Sequence, residues 1–177
     1  MFRTKLTRLF QIVLLSGMFL SHIEIISAQF TGGGQAQLVE GRAIIVRQGK
    51  EMEIDSYPSD FKDQDLIQTF DKGKVNLTLK GGDLSFLAPN TEMRFDEKLE
   101  IKGSERFLNR TLKLKGRLLA RIQRNPETQI QIRTPNAIVG VKGTEFVVEF
   151  LSKDTNVGTL KGTVNLSSLT TGDSIDL

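Results

Sequence analysis

From Leu38 onward the chain is a succession of short apolar runs with a period of two, broken every few residues by glycine, asparagine, aspartate or proline. That pattern leaves little room for anything but strands, in which successive side chains point to opposite faces. Val75, Leu77 and Leu79 share one side of a run whose other side is Lys74, Asn76, Thr78 and Lys80. Leu112, Leu114, Leu118, Ala120 and Ile122 form a second set, opposed by Lys113, Lys115, Arg117 and Arg121. Ile130 and Ile132 make a third, and Phe146, Val148 and Phe150, opposed by Glu145, Val147 and Glu149, a fourth. Lys80-Gly81-Gly82-Asp83 and Lys161-Gly162 read as turns, Pro89-Asn90 and Pro135-Asn136 as corners. The stretch Lys113 to Arg124 also fits a short basic helix, but its alternation and Gly116 favour a strand pair or one bent strand. The expected fold is all-β, with short strands in a β-helix-like or sandwich-like arrangement.

The first residues obey different rules. Met1 to Arg8 is basic, Ile12 to Leu20 is apolar, and Ile26-Ser27-Ala28 places an aliphatic residue at −3 and a small one at −1. This is the layout of a secretory signal peptide over 1–28, which makes Gln29 the mature N-terminus. Ser21, His22 and Glu24 cut the apolar run short of the roughly 20 residues a spanning helix needs, so no transmembrane segment is expected after cleavage. Residues 29–37, with Gly32-Gly33-Gly34, read as a flexible lead-in, and 38–177 as one β domain. The expected location is periplasmic or secreted.

Composition removes several chemistries. The 177 residues contain no cysteine, which excludes disulfides, thiolate metal sites, cysteine nucleophiles and a lipidated N-terminal cysteine. The single histidine, His22, lies in the leader, so the mature chain has no imidazole for metal binding or for proton transfer near neutral pH. Of 24 basic and 21 acidic residues the leader holds Arg3, Lys5, Arg8 and Glu24, which leaves 21 against 20. The high isoelectric point therefore carries no argument for nucleic acid. No catalytic residue, cofactor or metal site is expected.

Thr134-Pro135-Asn136-Ala137, followed by Gly140-Val141-Lys142-Gly143-Thr144-Glu145-Phe146-Val147-Val148, resembles the FecR domain. Asp65-Leu66-Ile67-Gln68-Thr69 is similar to that family's Gly-Asp-x-Ile-x-Thr element, and Val75 to Leu87 with Pro89-Asn90-Thr91 to its strand, turn, strand and corner. Gly162-Thr163-Val164 and Thr171-Gly172-Asp173 resemble its closing elements. Gln64, Lys142 and Lys161 stand where the family commonly has glycine, arginine and glutamate. The resemblance implies the fold and an extracytoplasmic location. Founding members are transmembrane regulators with a cytoplasmic anti-sigma segment and a further receptor-facing domain; neither is expected in these residues, so the iron-transport role is not implied.

Two residue groups stand out as sites. Arg106, Arg110, Lys113, Lys115, Arg117, Arg121 and Arg124 form the densest basic segment, either a surface for an acidic partner, glycan or lipid head group, or the solvated face of a strand pair. The segment lacks interleaved aromatics, which argues against nucleic acid. Thr134, Pro135, Gly140, Gly143, Thr144 and Phe146 are expected to be structural: a corner, glycine-permitted bends and a strand whose Phe146 enters the core. Asp55, Asp60, Asp63 and Asp65 are read as turn-forming and solubilising. The expected function is a non-catalytic binding module that meets another envelope protein in signalling or regulation. The alternative is an envelope structural or assembly protein that holds glycan or lipid head groups through the basic segment.

Overall fold

The structure, a computed structural model, describes residues 32–177; the leader read over 1–28 and residues 29–31 lie outside the described residues. In chain order the strands are β1 (Gly33–Glu40), β2 (Ala43–Arg47), β3 (Lys50–Glu53), β4 (Ser59–Lys62), β5 (Leu66–Thr69), β6 (Lys74–Leu79), β7 (Leu84–Leu87) and β8 (Glu92–Lys102). They continue with β9 (Glu105–Arg121), β10 (Thr128–Arg133), β11 (Ala137–Val141), β12 (Glu145–Leu151), β13 (Asp154–Lys161), β14 (Val164–Ser168) and β15 (Ser174–Asp176). The fold is all-β, without a helix among the described residues.

The strands form one large mixed sheet that does not close. Its ladders divide into two layers. In the first the spatial order is β4-β1-β6-β7-β9-β12-β13. In the second it is β15-β14-β11-β10-β9-β8-β5-β2-β3. Only β9, 17 residues long, belongs to both. Up to Lys115 it pairs with β8, from Gly116 it pairs with β12, and from Leu118 also with β7.

The change of layer falls on Gly116, whose φ is +118°. A Cβ there would lie 2.4 Å from the Thr91 hydroxyl oxygen and 2.7 Å from Thr91 Cα. The glycine is thus required twice, by backbone angle and by space. Ladders are antiparallel except β9 with β10. A parallel neighbour needs a crossover; here it is the second half of β9 itself, running through the other layer, with residues 122–127 returning the chain.

The core lies between the layers. Leu77, Leu79, Leu87, Leu118, Phe146 and Val148 come from one side, and Ile67, Met93, Phe95, Leu112, Leu114, Ile132 and Val139 from the other. Phe61 and Phe95 meet across it edge-to-face, with ring centroids 5.3 Å apart. Each of these residues occupies the inward parity of its strand, as the alternation requires.

The lead-in reading of 29–37 needs correction over Gly33–Gln37. These residues belong to β1, paired with β4 on one side and β6 on the other. The glycines there serve close packing: a Cβ on Gly34 would lie 2.1 Å from the Thr78 carbonyl oxygen, and Ala36 is fully buried.

Candidate functional site

Most motif residues bond within the fold, whereas the buried Thr144 hydroxyl has no hydrogen-bond partner among the described residues. Thr134, buried at the end of β10, accepts the Ala137 N–H at its Oγ1 (3.0 Å), and that oxygen lies 2.7 Å from Thr155 Oγ1. Asn136 donates its side-chain amide to the Lys153 carbonyl (2.9 Å). The Thr-Pro-Asn corner therefore ties the β10–β11 turn of one layer to the start of β13 in the other. Asp65 is buried and takes Arg47 in a two-pronged pair, Nε to Oδ1 at 2.9 Å and Nη2 to Oδ2 at 2.7 Å, while the Lys62 N–H donates to the same Oδ2 (2.8 Å). The hydrogen bond to Asp65 raises the Arg47 pKa above its already high ordinary value, so the cation is permanent. Thr69 Oγ1 accepts the Thr91 N–H (2.9 Å), and Thr91 Oγ1 accepts the Arg117 N–H (3.0 Å), beside the Gly116 switch.

Two expectations for this motif change. Asp65, read as turn-forming and solubilising, does close the β4–β5 turn through the Lys62 N–H, but it is a buried ion-pair partner and not a solubilising group; Asp55 serves a turn, accepting the Tyr57 N–H at 2.7 Å, and Asp63 accepts the Glu97 N–H of β8 at 2.7 Å. Gly140, read as a bend, sits inside β11 opposite Gln131 and Asn165. The bend is at Gly143 alone, with φ +70°. Pro135 is exposed at the corner, Thr144 is buried with its carbonyl accepting the Ile122 N–H (2.8 Å), and Phe146 is fully buried in β12.

The seven basic residues do not form one surface. Arg110 is buried, at 4% exposure, and its Nε donates to Glu97 at 2.7 Å while Nη1 lies 3.6 Å from Asp83. A buried guanidinium without partners would be prohibitive; the two carboxylates, themselves nearly buried, make it tolerable. Its parity with Leu112 and Leu114 was the sequence signal that it points inward. Arg117 and Arg121 lie on the outer face of the other layer, paired with Glu149 and Glu145 across the β9–β12 ladder. Arg106 stands near the β8–β9 hairpin turn and Arg124 in the return loop, both exposed. Lys113 and Lys115 alone share a face.

Around those two lysines the fold gathers residues that sequence position does not. Arg94 on β8 stands opposite Lys113, and Arg133 on β10 stands opposite it on the other side. Together with Glu92, Lys115, Leu66 and Pro135 they line an outward hollow of about 370 Å³. Lys113 contacts Asp96 at 2.6 Å; Arg94 contacts Asp96 at 3.8 Å and Gln64 at 3.2 Å. Lys115 and Arg133 have no hydrogen-bond or ion-pair partner among the described residues. Among these residues no group of three or more aspartate, glutamate or histidine side chains converges as a metal site would need.

Comparison with known proteins adds three findings. The family model for FecR protein matches residues 65–165. No curated protein matches the sequence. Two crystal structures, at 1.65 and 2.50 Å, of a candidate anti-sigma factor from Parabacteroides distasonis match with a TM-score of 0.52 and 22% identity, covering 63% of this chain. The match spans half the length of that protein, so the likeness is one of fold over a shared domain.

Proposed function

The chain belongs to the FecR family, and from that premise we propose that it is a non-catalytic, extracytoplasmic regulatory module that binds another envelope protein. One observation carries the reading. The matched segment, 65–165, spends its characteristic polar groups on internal bonds: Asp65 on Arg47, Thr69 and Thr91 on each other, Thr134 on Ala137. Groups used in this way fix the turns and ladders of the second layer, Thr134 and Asn136 tie it to the first through Thr155 and Lys153, and none of them is free for chemistry on a substrate. The outward strand faces and edges remain for recognition, as in other sheet proteins that bind partners by face or edge. The description of the Parabacteroides protein as a candidate anti-sigma factor supports a regulatory role. The leader read over 1–28 supports export to the periplasm or medium.

The test is capture from envelope extract on immobilised mature protein. The proposal expects a defined protein partner, recovered in constant proportion to the immobilised protein. Retention of only glycan or lipid, released by salt, would replace it with the assembly reading based on surface charge.

A further inference from the structure

One register row on the outer face of the second layer has an unusual composition. Between Glu51 on β3 and Ser167 on β14 it runs Val46 on β2, Leu66 on β5, Arg94 on β8, Lys113 on β9, Arg133 on β10 and Ile138 on β11. Three cations thus stand directly abreast, between apolar residues that are only half-buried at either end. Like charges on neighbouring strands repel at this separation, about 4.8 Å. Asp96 offsets part of that repulsion through Lys113 and Arg94, whereas Arg133 has no partner among the described residues. With Lys115 and Glu92 included, four cations face two carboxylates around the hollow. Elsewhere on the outer faces the arginines are matched across the ladder, as Arg117 is by Glu149 and Arg121 by Glu145. This row instead sets three cations abreast with Asp96 shared between two of them and Arg133 left without a partner among the described residues.

We infer that this row docks an extended acidic segment of the partner protein, about seven residues long, with carboxylates at its centre and apolar side chains at its ends. The length follows from five inter-strand spacings, about 24 Å, divided by the rise of an extended chain, about 3.3 Å per residue. The apolar ends distinguish a peptide from a bare phosphate, which would use the cations alone. Arg94 and Arg133 suit carboxylates because the planar guanidinium offers paired donors. The inference rests on the reading that the domain binds another protein, and gives that partner a chemistry.

The experiment uses a fluorescein-labelled peptide of three glutamates flanked on each side by two leucines, its glutamine counterpart, and phosphatidylglycerol vesicles, with the mature protein. Fluorescence anisotropy is expected to show binding of the acidic peptide that weakens as salt rises. Arg133→Gln should weaken it about tenfold, the share of one hydrogen bond to a charged group, and Arg133→Gln with Lys113→Gln further. Lys161→Gln, on the other layer, should leave it unchanged. The melting temperature of Arg133→Gln should be no lower than the parent's, because repulsion is relieved and no ion pair is lost, so its lost binding cannot be ascribed to unfolding. Absence of peptide binding, equal binding of the glutamine peptide, insensitivity to the row variants, or retention on vesicles in place of the peptide would each overturn the inference. Capture of a partner from extract despite such a result would leave the functional reading standing, whereas failed capture removes that reading.

Discussion

Replacing Arg110 by methionine separates two roles that a basic residue in this segment could have. The structure places its guanidinium between the layers, 4% exposed, 2.7 Å from Glu97 and 3.6 Å from Asp83, whose side chains are 7% and 8% exposed. Methionine fills most of the volume but leaves both carboxylates without their cation. Asp83 keeps the Gln123 N–H at 2.8 Å, so Glu97 bears most of the loss. Removing one member of a buried ion pair costs about 3–5 kcal/mol. That is a large share of the roughly 5–15 kcal/mol by which a domain is stable. Replacing an exposed, paired arginine such as Arg121, by contrast, should cost about 0–1 kcal/mol. Urea unfolding followed by circular dichroism measures both, and a constant slope with denaturant would show that only stability has changed. Substituting Glu97 by methionine in the same chain should recover part of the loss, since no orphaned charge then remains on that side. If Arg110→Met unfolds within about 0.5 kcal/mol of the parent, as a surface substitution would, the buried-triad account is wrong. If it also loses partner binding while stable, Arg110 belongs to a recognition surface after all.

Phe146→Ala, at a fully buried site of β12, should cost about 3–5 kcal/mol in the same melts, and Lys142→Ala, on the exposed bend, no more than about 0.5. Gly116→Ala should destabilise by about 1–3 kcal/mol from the backbone angle, with the contact to Thr91 adding to it; a neutral result would show that β9 need not switch layers there. N-terminal sequencing of the exported protein should begin at Gln29, with the chain in the soluble envelope fraction; a chain that begins at Met1 and resists carbonate washing would contradict the leader reading.

Much of the fold could be read from alternation, because a strand's parity decides which side chains are buried whatever its neighbours are. The buried faces of β6, β9, β10 and β12 follow the apolar sets of the sequence. What parity does not reveal is which strand pairs with which. The bent strand at Gly116 was legible as an interruption, but its meaning as the passage between layers depends on Thr91, 25 positions away in the chain. The basic segment misled for the same reason. Treating Arg106 to Arg124 as one patch ignores that inward parity buries Arg110 and that the switch sends Arg117 and Arg121 to the opposite layer. The row through Arg94, Lys113 and Arg133 was invisible because its members are brought abreast only by the β8–β9–β10 ladders. The glycines of β1 likewise read as flexible until the neighbours that crowd them are known.

The account separates a motif that builds the domain from a face that meets the partner, and two adjacent residues where β10 ends, one exposed and one buried, test that division. Thr134→Val removes an internal hydroxyl bonded to Ala137 and Thr155, at a cost of about 1–3 kcal/mol. Arg133→Gln removes an outward cation with no partner among the described residues. Quantitative capture of the envelope partner should be measured on both variants at a temperature where both are folded. The account predicts that Thr134→Val, although less stable, retains the partner, and that Arg133→Gln, although as stable as the parent, binds it at least about tenfold more weakly. Loss of the partner with Thr134→Val and retention with Arg133→Gln would contradict it.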